Sequence, residues 1–276
     1  HDVDLIHECI VKMAKEIAEF MHISPNMQRM DSLMVAANIK NLSMLELFYT
    51  CVANLAKTMV QREVTLPEEQ RHYIEKDDYN RYTYHNREQD VTENIIAVMN
   101  DAEKLIEICD KTGDFDDTSE YQLLIRLLKE RTIIDDDGKR RLRKKGEIED
   151  SSEALLNPSD PEATFRYKAG EKNLGYVGNV VESVDVTGSL VTDYAYEKNT
   201  YADNQFMKDY LKKQDSYEDG AFIVADGAYS GEANSQIAAS RNLKLITTNF
   251  TGRKPDEIYA NFHFTEDGHY LLKCVN

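Results

Sequence analysis

Asp226 is the acidic side chain best placed to do chemistry. It follows the apolar run Ala221-Phe222-Ile223-Val224-Ala225 and precedes Gly227-Ala228-Tyr229-Ser230. A short, uninterrupted apolar run that ends at Gly reads as a fully buried strand. A carboxylate at the exit of such a strand sits at the edge where α/β folds bind ligands, on a backbone held by the core. Burial there costs free energy unless a cation or a hydrogen-bond donor compensates it. A carboxylate poised for a ligand, compensated by a cation or by a donor, is therefore one reading of this position. The same residues also read as a turn, Asp before Gly, and the fragment alone leaves both readings open.

Other reactive residue types form fewer patterns. The seven His are scattered, with no His-x-x-x-His or His-Cys spacing, and no Ser/His/Asp arrangement or phosphate-binding Gly loop stands out. Cys9, Cys51, Cys109 and Cys274 are far apart and form no Cys-x-x-Cys pair, so neither zinc nor a disulfide framework is supported. The first three fall on apolar helix faces and read as small core residues. Lys139-Arg140-Arg141-Leu142-Arg143-Lys144-Lys145 is the one concentrated basic run; it reads as a solvated mobile loop or as a nucleic-acid contact. Between Arg71 and Arg87, bases alternate with aromatics as single-strand binders do. Glu75, Asp77 and Asp78 lie alongside, which favours an ordinary polar connector.

The elements that must position these residues fall into two halves. Ile6, Ile10, Met13, Ile17 and Phe20 recur at helical spacing. Met27 to Val35 suits a strand holding Asp31. Ser43-Met44-Leu45-Glu46 is a capping box opening a helix with Leu47, Phe48, Cys51, Leu55 and Met59 on one face. Helices are expected over 91–111 and 119–131, and Asp135-Asp136-Asp137-Gly138 breaks the chain. The period then switches. Residues 175–184 and 190–196 form an antiparallel hairpin joined by Asp185-Val186-Thr187-Gly188. Asp203 precedes a helix with Phe206, Met207, Tyr210 and Leu211 inward and reads as its N-cap. A helix over 232–241 and a buried strand over 243–247 follow the Asp226 strand. At 276 residues there is ample chain for a core. No apolar run approaches the ~18 residues of a membrane span, so a cytoplasmic protein with no membrane partner is expected. The formal net charge of −17 runs against broad nonspecific affinity for DNA.

In this order the blocks resemble the catalytic core of insertion-sequence DDE transposases. The resemblance rests on Arg29-Met30-Asp31-Ser32-Leu33-Met34 with Leu42 to Leu47, on Asn157-Pro158-Ser159-Asp160-Pro161-Glu162-Ala163, on Gly175-Tyr176 leading to Asp185, on Thr192-Asp193-Tyr194, on Asp203, and on Ala225-Asp226-Gly227-Ala228-Tyr229. It covers most of the chain; 61–150 carries no matching motif. It implies an α/β, ribonuclease-H-like mixed sheet with a large all-helical insertion after the first strand. The expected segments are 1–41 (N-terminal helix and first core strand), 42–150 (helical insertion with a basic mobile loop) and 151–276 (the remaining core).

The resemblance also implies the chemistry. Asp31 and Asp226 would lie on neighbouring central strands as catalytic residues and metal ligands for two Mg²⁺ or Mn²⁺ ions. Such ions neutralise charge on both sides of an in-line phosphodiester transfer. The alternative for Asp31 is a strand-edge or turn residue, and Asp160 before Pro161 reads as a turn starter. The partner would be double-stranded DNA, element ends and target, with self-association of the full-length protein. Arg166, Lys168 and Lys172, which read equally as part of an ordinary solvated loop, and Arg140, Arg141, Arg143 and Lys144 in the basic run, are candidate DNA contacts. The third member of the family's acidic triad, a helical Glu, has no match before Asn276. The expected activity is metal-dependent DNA strand cleavage and transfer by a longer parent, of which this chain is an incomplete fragment. The alternative is a non-enzymatic remnant that binds DNA or protein.

Overall fold

The computed structural model describes residues 4–84, 88–148, 152–168, 170–248, 263–264 and 271–273. In chain order, α1 (Leu5–Phe20) precedes β1 (Met27–Ala36). Four helices follow, α2 (Met44–Gln61), α3 (Asp78–Thr83), α4 (Glu88–Thr112) and α5 (Ser119–Arg131), with a 3-10 helix Glu68–Ile74 after α2. Next come β2 (Thr132–Ile134), β3 (Arg140–Leu142), β4 (Thr164–Lys168), β5 (Glu171–Asp185) and β6 (Gly188–Lys198). The chain continues with α6 (Asp203–Lys213), β7 (Phe222–Asp226), α7 (Glu232–Ser240), β8 (Lys244–Thr248), β9 (His263–Phe264) and β10 (Leu271–Lys273). This is a mixed α/β protein. No described helix is long and apolar enough to cross a membrane. The chain divides into two compact units, one of residues 1–32, 179–195 and 202–276, the other of 33–178 and 196–201.

Six strands hydrogen-bond in the order β4-β5-β1-β7-β8, with β6 on β5. β1 is parallel to β7, and β7 to β8. Contacts between β1 and β5 run in opposite senses along the two strands. Ser24 N donates to Asp185 Oδ2 (3.1 Å), Arg29 pairs with Glu182, Asn179 Nδ2 reaches Asp31 O (3.3 Å) and Ala37 N donates to Leu174 O (3.0 Å). The sheet is therefore mixed. Strand β7 is not buried on both faces as its unbroken apolar run suggests. Ala221, Ile223 and Ala225 are buried, whereas Phe222, Val224 and Asp226 are half-buried. A strand with one covered face alternates even when its residues do not.

In the unit containing β7, α6 buries Phe206, Met207, Tyr210 and Leu211, the expected face, and Tyr210 Oη donates to Gln28 Oε1 (2.9 Å). Helix α1 departs from expectation. Its apolar stripe Ile6, Ile10, Met13, Ile17 and Phe20 faces solvent, and its buried residues are Ala14 and Ala18. Small side chains let the helix backbone approach closely. His7, bonded to Asp193 Oδ1 (2.8 Å) and edge-on to Tyr194, fixes its rotation. Cys9 is correspondingly exposed, not a core residue, while Cys51 and Cys109 are buried. Cys274 lies outside the described residues.

The second unit holds the helices. All described regular structure from 44 to 131 is helical, as the apolar spacing requires. Phe48, Leu55 and Met59 of α2, Val98, Met99 and Leu105 of α4, and Leu124 and Leu127 of α5 form one core. The capping box forms as read: Ser43 Oγ accepts from Glu46 N (3.3 Å) and Glu46 Oε2 from Ser43 N (2.8 Å). The basic run is not a simple loop. β2 and β3 pair antiparallel, Ile134 opposite Arg140. Asp135 Oδ1 holds their turn by accepting from Asp137 N (3.0 Å) and Lys139 N (2.8 Å). Strand β4, antiparallel to β5 with Thr164 opposite Gly175, is an element the composition did not announce.

Two outcomes follow. A Cβ on Gly175, whose φ is +134°, would lie 2.3 Å from Val35 O and 2.5 Å from Ala37 N. Gly175→Ala should therefore destabilise the chain by more than about 1 kcal/mol, measured by urea unfolding. Gly146→Ala, with open space around it, should change stability by less than ~0.5 kcal/mol. Burial alone would raise the Glu46 carboxyl, but bonds from Lys40, the Ser43 amide and hydroxyl, and Tyr79 outweigh it and hold it at about 2, below its ordinary 4.5. A depressed carboxylate stabilises fully above its unfolded value, and the contribution disappears as pH falls through the folded one. Urea midpoints of native chain and Glu46→Gln should differ at neutral pH and converge between pH 4.5 and about 2.

Candidate functional site

Asp31 and Asp226 occupy level positions on one face of the sheet. The parallel register of β1 and β7 sets Met27 opposite Phe222, Gln28 opposite Ile223 and Arg29 opposite Val224. Carried two residues further, it brings Asp31 level with Asp226. Level residues on adjacent parallel strands project to the same face, and burial follows the same parity. Gln28, Met30, Ile223 and Ala225 are buried, whereas Arg29 and Asp31 are exposed and Val224 and Asp226 half-buried.

Each carboxylate is partly committed to local backbone. Asp31 Oδ1 accepts from Ser32 N (2.8 Å), and Asp226 Oδ1 accepts from Ala228 N (2.8 Å), capping the 3-10 turn Gly227–Tyr229. The turn reading of Asp226 is thus realised geometrically. It does not exhaust the side chain, because Oδ2 of each residue accepts no hydrogen bond among the described residues.

Beneath the pair lies a buried polar network that sequence reasoning missed. The 3-10 turn sends Tyr229 into the core, fully buried. Asn179 Nδ2 donates to Tyr229 Oη (2.7 Å) and to Asp31 O (3.3 Å). Asn234 Nδ2 donates to Tyr229 O (3.1 Å) and Asn204 O (2.8 Å). Burial pushes the Tyr229 hydroxyl above the ordinary tyrosine range; a hydrogen bond with Ser32 opposes this, and the charges of Asp203, Asp31 and Asp226 reinforce it. A signal did exist for Asn179. It stands among Gly175, Val177, Val181 and Ser183, the inward positions of β5, where a polar side chain must find partners.

Asp203 needs correction. Ala202 occupies the cap of α6, with no side-chain cap, and Asp203 is the first helical residue, buried. Its charge acts on Tyr229 alongside those of Asp31 and Asp226. Among the described residues, however, no group of three or more His, Cys, Asp or Glu is arranged to hold a metal ion.

The candidate DNA contacts all fall in the unit of residues 33–178 and 196–201. Arg166 and Lys168 are on β4 and Lys172 on β5, with Arg166 opposite Asn173 and Lys168 opposite Glu171. Lys172 Nζ lies 5.2 Å from the centre of the Phe165 ring. Arg140 pairs with Glu103 (2.6 Å) and donates to Thr132 Oγ1 (2.8 Å). Arg141 grips Glu147 with both terminal nitrogens (2.7 and 2.9 Å), holding that carboxyl at about 2. Arg143 donates to Glu147 O (3.1 Å), and the Lys144 amide to Glu147 Oε2 (2.7 Å). The basic run thus carries its own counter-charges.

The aromatic and basic stretch after Gln70 is built into the helical unit. Tyr73 is buried and donates to Asp101 Oδ2 (3.0 Å). Buried Asp78 accepts from Tyr49 Oη (2.5 Å) and contacts His72 Nδ1 (2.6 Å). His85 and Arg87 lie outside the described residues.

No family model, curated protein or solved structure matches this chain.

Because one Asn179 amide serves both Tyr229 and the Asp31 backbone, the substitutions should be strongly non-additive. A cycle of Asn179→Ala and Tyr229→Phe, read by urea unfolding, should return a coupling of roughly 0.5–3 kcal/mol. Additive losses would mean that the two side chains do not act as one unit.

Proposed function

We propose that this chain is the ribonuclease-H-like catalytic core of a metal-dependent DNA transposase, with double-stranded DNA as its substrate. The observation that carries the reading is the level placement of Asp31 and Asp226 on adjacent parallel strands. Three supports stand beside it. The sheet has an antiparallel part through β5 and β6 and a helix-linked parallel part through β7 and β8. The strand bearing the first Asp is followed by a long segment whose described regular structure is helical over 44–131, closed by the short β2–β3 pair within the expected 42–150 insertion. The strand bearing the second ends in a tight Gly turn.

The donors suit the implied cation. Mg²⁺ and Mn²⁺ take hard oxygen ligands, and Mg²⁺ is typically held by one or two carboxylates with waters and phosphate oxygens completing the shell. Asp31 and Asp226 would hold it through their Oδ2 atoms. When bound, a pair of such ions about 3.5–4 Å apart stabilises the attacking and leaving oxygens of a phosphodiester. The protein's part is positional. Asn179 fixes the Asp31 main chain, and the Ala228 amide orients the Asp226 carboxylate.

A second reading, a non-enzymatic remnant, draws on the same structure. Among the described residues no group of three carboxylates is arranged to hold a metal ion, and Arg140 and Arg141 are already ion-paired.

Metal titration and DNA cleavage separate the two. Electron paramagnetic resonance should detect Mn²⁺ binding to the 276-residue chain, weakened by more than about tenfold in Asp31→Asn and Asp226→Asn, since even outer-shell changes cost 10–100-fold at metal sites. With two carboxylates the 276-residue chain should not nick an end-bearing duplex in Mg²⁺; nicking that Asp226→Asn abolishes would place a third carboxylate within it. Mn²⁺ affinity indifferent to both substitutions would remove the site and the function with it.

A further inference from the structure

The outward face of α1 is a second feature that needs a partner, and it does not depend on the reading above. Ile6, Ile10, Met13, Ile17 and Phe20 repeat at alternating intervals of four and three. That is the 3.5-residue period of a helix–helix seam. None of the five is buried: Ile6 is 71%, Met13 54% and Phe20 86% exposed.

The helix is already fastened along a different stripe. Ala14 and Ala18 are buried, and His7 is bonded to Asp193. At 100° per residue, these lie about a quarter turn from the centre of the seam. Lys12, Lys15, Glu16 and Glu19 occupy the remaining arc, exposed. The helix thus has one stripe for its own unit, one polar arc and one apolar seam without an occupant among the described residues.

We propose that the α1 seam is a homodimer interface, occupied by α1 of a second copy of this chain. Area is the first argument. With Leu5 and Met21 at its margins, the face exposes on the order of 700 Å² of apolar surface per protomer, above the roughly 300–600 Å² of the largest patch on a typical monomer and near the ~800 Å² per partner of a standard interface. Symmetry is the second. A seam of constant period is complementary to itself, and a two-fold pair covers the patch on both copies, leaving nothing exposed to propagate. The third is entropic. A free helix of 16 residues would be marginal, but α1 is held as a helix by its own unit before it meets a partner, so association does not have to form it.

Cys9 supplies an internal probe. It is exposed and lies at the seam's edge, three residues after Ile6 and four before Met13, whereas Cys51 and Cys109 are buried. In a Cys274→Ser background, sedimentation velocity should show a reversible dimer at micromolar concentration. Modification of Cys9 by a soluble thiol reagent should slow several-fold as the protein is concentrated. Met13→Glu, which alters a side chain exposed in the single chain, should leave the thermal midpoint of the monomer unchanged, abolish the dimer and make Cys9 reactivity independent of concentration. A native chain that stays monomeric throughout overturns the proposal and assigns the seam to a different occupant. A dimer that survives Met13→Glu, or one in which Cys9 stays fully reactive, overturns it by placing the interface elsewhere.

Discussion

Strand β1 cannot shift by one residue without breaking commitments on both sides, and the site depends on that. Toward β7, its parallel register pairs buried with buried and outward with outward residues. A one-residue slip would send Gln28 and Met30 to solvent and Asp31 into the core. Toward β5, Asn179 must place its amide on Asp31 O and Tyr229 Oη at once. A buried donor left without its acceptor costs about 1–3 kcal/mol. Gly175 closes the other end, where no Cβ fits against Val35 and Ala37. Two backbone fits and one side-chain network therefore select the same alignment.

That alignment also sets which acidic residues share one face of the sheet. The register sets Asp31 and Asp226 at level positions on adjacent strands near the end of β7, and the charges of both, with that of Asp203, act on the Tyr229 hydroxyl. Arg29 stands two residues from Asp31 on the same face, but its guanidinium is taken by Glu182. An acidic pair set by a rigid frame and without a paired base is stable when something cationic is supplied from outside. The proposed metal site would supply that cation.

Much of the frame was legible because it is periodic. Leu47, Phe48, Cys51, Leu55 and Met59 repeat at helical spacing and are all buried; Ser43 and Glu46 announced the start of that helix and make both bonds of the box. Features set by tertiary context were not legible. The unbroken run before Asp226 looked covered on both faces, yet only alternate residues are, since covering depends on what packs there. Asp203 had the composition of an N-cap, but the helix begins one residue earlier in register and buries it. The Arg140–Arg141 segment read as a mobile loop because its stabilising partners, Glu103 and the turn-forming Asp135, contribute no apolar signal. Helix α1 showed its period but not which stripe would face inward; two alanines took that role.

The helical unit shows how so long a segment can follow β1 without disturbing it. Asn157 Nδ2 donates to Lys40 O (3.0 Å), and its Oδ1 accepts from Ser159 N (2.9 Å). One side chain thus joins the point where the chain departs after β1 to the turn by which it returns to β4. Tyr176 Oη, on β5, donates to Asp160 Oδ1 (2.5 Å) and holds that turn against the strand. With its ends closed, the intervening chain can bury its own core of Phe48, Leu55, Leu105 and Leu124 and satisfy its own polar groups through Asp78 and Asp101. Closing a long loop costs entropy that grows only with the logarithm of its length. Local bonds at its two ends therefore decouple the size of the helical segment from the register of β1, on which Asp31 and Asp226 depend.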